Sequence, residues 1–260
     1  SITKLYTDRG YINSGARALI KDNLRIDPNN ATILIRIVEG YLGRVNVSGS
    51  KRLAGQIKWK LKNSKPLNKS EITKQLFLLQ EDLPIEMLEA KLIPSEAANI
   101  ANLEVIVKPA NPYEISVFGN NYQNPSVGRE QYGIDFSASN PTMLGDKLRL
   151  IYSRSEASNL ISASYNVPIL PDGTAITGTI AYGQNKVITQ PYRDLEIKSK
   201  ATNWSIGINH PIINAATPES RFKFSVGFSY EGRKTQESLL GFNFPISAGS
   251  DNDGRRNINT

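Results

Sequence analysis

From Gln131 onward the chain repeats one pattern, and few folds can use it. Tyr132, Ile134, Phe136 and Ala138 alternate with Gln131, Gly133, Asp135 and Ser137. Leu148, Leu150 and Tyr152 alternate with Lys147, Arg149 and Ser153, and Ile161, Ala163, Tyr165 and Val167 with Ser162, Ser164 and Asn166. The pattern returns at Trp204, Ile206 and Ile208 and is cleanest at Phe222, Phe224, Val226, Phe228 and Tyr230, set against Lys223, Ser225, Gly227 and Ser229. Successive side chains of a strand point to opposite faces. Each run therefore makes a strand of about ten residues with one apolar face and one face of Ser, Asn, Gly and charge. Two architectures accept such strands: a soluble β-sandwich, which packs the apolar faces together, and a transmembrane β-barrel, which turns them to lipid. The connections favour the barrel. Asn140–Asp146 and Pro168–Gly173 read as compact turns, whereas Gln184–Lys200 and Glu231–Arg255 read as long polar loops, matching the short and long ends of outer-membrane barrels.

The first part of the chain has a different grammar. Ile2, Leu5 and Tyr6 have helical spacing and stop at Arg9-Gly10, so the chain is expected to begin inside a helix that ends in a Gly10-Tyr11 turn. Ile33, Ile35 and Ile37 form one strand and Arg44–Ser48 a second. Between them Glu39-Gly40 and Tyr41 make a hinge, and Gly49 closes the second strand. Helical sequence follows at Lys51–Leu61, then a helix carrying Ile72, Leu76 and Leu79 that Asn68 or Ser70 can cap. Strands resume at Met87–Ile93 and Leu103–Val107. Strand, helix, helix, strand, strand is one small α+β unit, and the same order without its beginning fits the residues up to Glu39. The composition shift at Pro109-Ala110-Asn111-Pro112 is the main boundary.

With these residues in view, the chain resembles the transporters of two-partner secretion, the TpsB proteins, which place two polypeptide-transport-associated (POTRA) modules before an outer-membrane barrel. ITKLYTDRGYINSGA at Ile2–Ala16 resembles the helix and Gly-Tyr turn of the first module, IRIVEGYLGRVNVSG the seam between modules, and PLNKSEITKQLFLLQEDLP the helix pair of the second. SNPTMLGDKLRL resembles the first periplasmic turn with its following strand, and LLGFNFPISAGSDNDGRR the approach to a later strand. The resemblance implies α+β POTRA modules followed by an antiparallel transmembrane β-barrel, here incomplete at about seven strands. It implies a partial first module at 1–42, a second at 43–110 and the barrel's N-terminal part at 111–260. Ile134, Phe136, Leu148, Leu150, Phe222, Phe224, Val226 and Phe228 are then expected to face lipid. Tyr152, Tyr165, Tyr182, Trp204 and Tyr230 are expected to form an interfacial girdle.

The implied function is export of an unfolded secreted protein across the outer membrane of a Gram-negative bacterium, with modules in the periplasm capturing the client. The alternative is a factor that inserts other barrels, and a third class is a soluble adhesive β-protein. The family's inward loop ends in Val-Arg-Gly-Tyr, which the barrel half lacks; Arg9-Gly10-Tyr11 is assigned to the helix-ending turn.

Chemistry is excluded on several counts. The 260 residues contain no Cys, hence no thiol nucleophile or thiolate site. The single histidine, His210, has no nucleophile and carboxylate at suitable spacing. Asp251-Asn252-Asp253-Gly254 suggests a calcium loop, but placing Gly254 sixth puts Gly249 first and Thr260 twelfth, where carboxylates belong. No phosphate-binding glycine motif occurs, so neither an enzyme nor a cofactor is expected. The net charge of +7 is concentrated at Lys51–Lys74. That stretch reads as a solvated helix face with Trp59 and Leu61 turned inward, closer to anionic headgroups than to nucleic acid, for which stacking aromatics are too sparse. No run reaches the roughly 18 apolar residues of a membrane helix, and the chain opens without Met or a signal peptide, as an internal fragment would.

Overall fold

The computed structural model describes residues 1–19, 34–61, 66–97, 99–217 and 219–260. Ile33 of the first expected strand and 62–65 of the basic stretch lie outside them. The chain divides into two compact units: residues 1–110 with 215–222, and residues 111–214 with 223–260.

The first unit opens with α1 (Ile2–Asp8), whose first turn is capped by Ser1 accepting from the Lys4 amide. Strands β1 (Gly15–Leu19) and β2 (Leu34–Val38) pair antiparallel as a two-stranded sheet. β1 escapes a reading by periodicity because GARAL carries no strong alternation. Then come β3 (Tyr41–Ser48), α2 (Lys51–Leu61), α3 (Lys69–Asp82), β4 (Ile85–Pro94) and β5 (Ile100–Pro109), with the strands ordered β3-β5-β4. β3 runs parallel to β5 and β4 antiparallel to it. Central β5 sends Ala101, Leu103, Val105 and Val107 inward against Leu53, Ile57 and Leu61 of α2 and Ile72 and Leu79 of α3. Asn68 caps α3, its side chain accepting from the Ser70 and Glu71 amides, a contribution of about 1 kcal/mol.

The basic helix is not wholly solvated. Lys60 is 10% exposed and its ammonium donates to Asp82 at 2.8 Å, joining α2 to α3. Burial opposes ionisation of Asp82, but the charges and hydrogen bonds of Lys60 and Arg221 together outweigh it and hold the carboxyl below its ordinary range.

The second unit is a nine-stranded antiparallel sheet. β6 (Tyr113–Asn120), β7 (Gln131–Ser139), β8 (Lys147–Arg154), β9 (Ser158–Pro168), β10 (Ala175–Lys186), β11 (Lys198–Ala216) and β12 (Arg221–Leu239) follow one another as neighbours in chain order. Two short strands, β13 (Phe242–Asn243) and β14 (Arg255–Asn259), both pair with β12. Among the described residues β6 and β12 are not joined, so the sheet is open. β11 and β12 each run 19 residues, and β12 takes residues 231–239 from the expected Glu231–Arg255 loop. The ladder continues after the apolar residues run out, because backbone pairing needs no apolar side chain.

Candidate functional site

Two features of the structure carry surface chemistry: the seam around Gly40 in the first unit, and the two faces of the meander in the second.

At the seam the chain crosses itself closely. The Ile12 amide donates to Leu67 O at 3.0 Å, the Leu67 amide to Gly40 O at 2.6 Å and the Lys69 amide to Gly10 O at 2.9 Å, while Tyr11 bridges to Asn68. Ser14 Oγ, buried, accepts from the Gly40 amide at 2.9 Å. Gly10, with φ +81, ends the turn after α1 in a conformation glycine adopts without penalty. Gly40 does not share this conformation, because its φ is not in the left-handed region. A side chain is excluded instead by proximity, a Cβ there lying 2.1 Å from Ile12 O. Gly10, Tyr11 and Gly40 are therefore brought together, with Glu39 and Tyr41 beside them. Tyr41 Oη donates to Glu39 Oε2 at 2.9 Å, and that carboxylate raises the phenol's pKa. Gly49 lies apart at the end of β3, with φ +91 and Val107 O where a Cβ would stand.

In the meander, strand register sorts side chains into rows. On the apolar face Phe136, Leu150, Ala163, Ile180 and Trp204 lie side by side across β7 to β11, and the next row is Ile134, Tyr152, Ile161, Tyr182 and Thr202. Leu148 shares a row with Ala138 and Tyr165. Phe224, Val226 and Phe228 are exposed along β12. The other face is polar: Asp135 and Arg149 pair across β7 and β8, and Asn166 Nδ2 donates to Thr177 Oγ1 at 2.7 Å.

The five expected girdle aromatics do not form one belt. Tyr152 and Tyr182 share a row toward the long-loop end, and Tyr230 packs edge-on against Trp204 at 5.4 Å. Tyr165 sits at the opposite, short-turn end, where Tyr113 stacks on Phe136. Alternation along one strand reports only the face of a residue; its height relative to neighbouring strands follows from register.

Sequence reasoning missed Asp146 and Asn140, which are 0% and 1% exposed in the β7–β8 turn. Asp146 accepts from Tyr165 Oη at 2.8 Å and from the Thr142 and Leu144 amides, and Asn140 Oδ1 accepts from the Gly145 amide at 2.8 Å. Asn and Asp bracketing Pro-Thr-Met-Leu-Gly was the available signal, since such side chains bond nearby amides. Burial of Asp146 works against its ionisation, but the Tyr165 hydroxyl and the turn amides outweigh it and hold the carboxyl below its ordinary range. A depressed carboxyl contributes stability above its unfolded pKa, near 3.9, that is lost as pH falls through the folded value. Asp146→Asn is expected to lower the unfolding temperature at pH 7 and to remove part of the wild-type stability loss below about pH 4. Circular-dichroism melts of both proteins in detergent across pH 3 to 7 check this.

His210 takes a similar structural place. Its Nδ1 lies 2.7 Å from Thr174 Oγ1, which donates to Asp172, and this ties the β9–β10 turn to β11. Among the described residues no group of three or more His, Asp or Glu could hold a metal ion.

An antiparallel meander with one apolar and one polar face is the fold of the second unit. Solved structures bear this out at the level of fold. CdiB from Escherichia coli superimposes with TM-score 0.72 at 19% identity, over 99% of this chain and 46% of that one. BamA from Haemophilus ducreyi lacking POTRA domains 1-3 gives 0.63 at 16%, over 100% and 50%. CdiB from Acinetobacter baumannii gives 0.59 at 17%, over 93% and 45%. The chain thus spans about half the length of these proteins. No curated protein matches it. The family model described as haemolysin secretion/activation protein ShlB/FhaC/HecB matches residues 100–249, more than half of the chain, and the chain belongs to that family.

Proposed function

We propose that this chain is the POTRA-to-barrel portion of a two-partner secretion transporter, which exports a large partner protein across the outer membrane of a Gram-negative bacterium. The observation that carries the reading is the family match across the meander. Residues 1–42 are then the end of a first POTRA module, 43–110 the second, and 111–260 the opening strands of the barrel. The modules lie in the periplasm, the apolar face of the meander meets lipid, and the polar face lines the pore.

Client capture in this reading is physical, not catalytic, and requires no cofactor. Among the described residues β2 has a neighbour only on its β1 side, and β3 and β4 are the edges of their sheet. Such edges offer N–H and C=O groups that an extended, unfolded chain completes as an added strand. The test is binding of the purified module region to the amino-terminal part of a co-encoded secreted protein, together with export of that protein by cells carrying or lacking the transporter. Absence of both binding and export overturns the reading. The second reading is a barrel-inserting factor. That reading is supported if loss of the protein depletes other barrels from the membrane while export continues.

A related expectation concerns the chain on its own. β6 and the Arg221–Tyr230 stretch of β12 leave open edges beside exposed Phe222, Phe224 and Phe228. Open apolar edges template intermolecular pairing. Residues 1–260 alone are expected to aggregate or require detergent, whereas residues 1–108 stay soluble, as size-exclusion chromatography without detergent will distinguish. A compact monomer of the whole chain would require withdrawing the membrane reading.

A further inference from the structure

The apolar face is not uniform. Ala163 is the small side chain in a row with Leu150 and Ile180, and above it stand Tyr152 and Tyr182. Together these residues surround a shallow hollow of about 430 Å³ whose lining is almost wholly carbon. One row further toward the long loops, the same face changes character. Arg154 pairs with Asn159, Asn159 with Gln184 and Gln184 with Lys200, so two cations and two carboxamides stand side by side on four adjacent strands. All four are exposed, and among the described residues no ion pair engages Arg154 or Lys200. Arg154 and Lys200 are separated by three strand spacings, about 14 Å.

An apolar hollow beneath a cationic, hydrogen-bonding ledge matches a lipid in two parts: acyl chain below, anionic headgroup above. We propose that this face binds a phosphorylated glycolipid of the outer leaflet, with one acyl chain seated over Ala163 and phosphate held by Arg154 and Lys200. The site rests on the outer-membrane reading above, which puts the long-loop end at the cell surface. Charge complementarity identifies the headgroup: guanidinium and ammonium groups at a membrane surface attract phosphate, while the amides of Asn159 and Gln184 bond its sugar hydroxyls. Tyr152 and Tyr182, amphipathic and at the boundary between the two chemistries, mark the level where chain gives way to headgroup.

The test uses protein extracted from outer membranes in mild detergent, delipidated, and titrated with purified lipid A or with phosphatidylglycerol while native mass spectrometry counts bound lipid. One lipid A is expected to bind the wild type. Arg154→Ala/Lys200→Ala should weaken it about thirtyfold, the worth of two basic residues at an anionic surface, and more so at low salt. Ala163→Phe, which fills the hollow, should weaken it as well. Ile208→Phe, which adds a similar ring at an exposed position of β11 paired with Ile176, outside the lining of the hollow, should leave binding unchanged. Equal binding by all variants, or tighter binding of phosphatidylglycerol than of lipid A, overturns the proposal while leaving the membrane reading intact. If the wild type partitions into buffer without detergent, the membrane reading itself has failed.

Discussion

Arginine at Val226 will keep the protein out of the membrane, whereas arginine at Ser225 will be tolerated. Val226 is 55% exposed on the same side of β12 as Phe224 and Phe228, a side expected to meet hydrocarbon. A charge near the bilayer midplane costs about 2 to 4 kcal/mol, enough at each of these three positions to shift the insertion equilibrium by a factor of roughly 30 to 1,000, while a position in a wet pore costs little. Ser225 is the cleaner comparison than its neighbour Gly227, because a Cβ at Gly227 would come within 3.1 Å of Asn209 Nδ2. The measurement is the fraction of protein recovered in urea-washed outer membranes. Equal recovery for the Val226 and Ser225 variants would falsify the assignment of faces.

Gly40→Val is the second large effect. A Cβ at this position would sit 2.1 Å from Ile12 O and 2.9 Å from the Asn13 carbonyl carbon, both backbone atoms that cannot rotate away. Relief requires separating the Ile12–Asn13 segment from Gly40, which also threatens the 2.6 Å bond between the Leu67 amide and Gly40 O and the bond from the Gly40 amide to Ser14. Overpacking of this kind costs about 3 kcal/mol. Tyr41→Phe, next door, loses one exposed bond to Glu39, worth at most about 1 kcal/mol. Thermal melts of the module region should therefore show a fall of many degrees for the Val variant and almost none for the Phe variant. Gly40→Ala separates the causes: it already places the offending atom, so it should reproduce most of the loss, whereas a β-branched residue opposed only by its own backbone preference would spare Ala.

The helices of the first unit were legible because their information is local. Asn68 precedes α3 and its side chain reaches amides two and three residues on, and Leu53, Ile57 and Leu61 recur at the helical period. The core they share with β5 was legible in kind, since alternating Leu103, Val105 and Val107 had to face something apolar. The seam was legible in place but not in mechanism. A glycine between two strands suggests a left-handed turn, and only the approach of Ile12, 28 positions earlier in the chain, reveals a steric reason instead.

By itself the sequence determined that the second half is antiparallel strand with one apolar face, because a period of two is a property of each strand alone. It also determined where the compact turns fall, since Asn140, Asp146 and Gly173 carry the necessary local bonding and backbone freedom. What only the tertiary structure decided is which residues stand beside one another. Tyr165 parts company with Tyr152 and Tyr182, Lys60 leaves the solvated face for Asp82, and Arg154 comes into line with Lys200 across two intervening strands. Each pairing joins residues distant in the chain through backbone register or side-chain burial. Those quantities are set by all the strands and helices together, so no single stretch of sequence contains them.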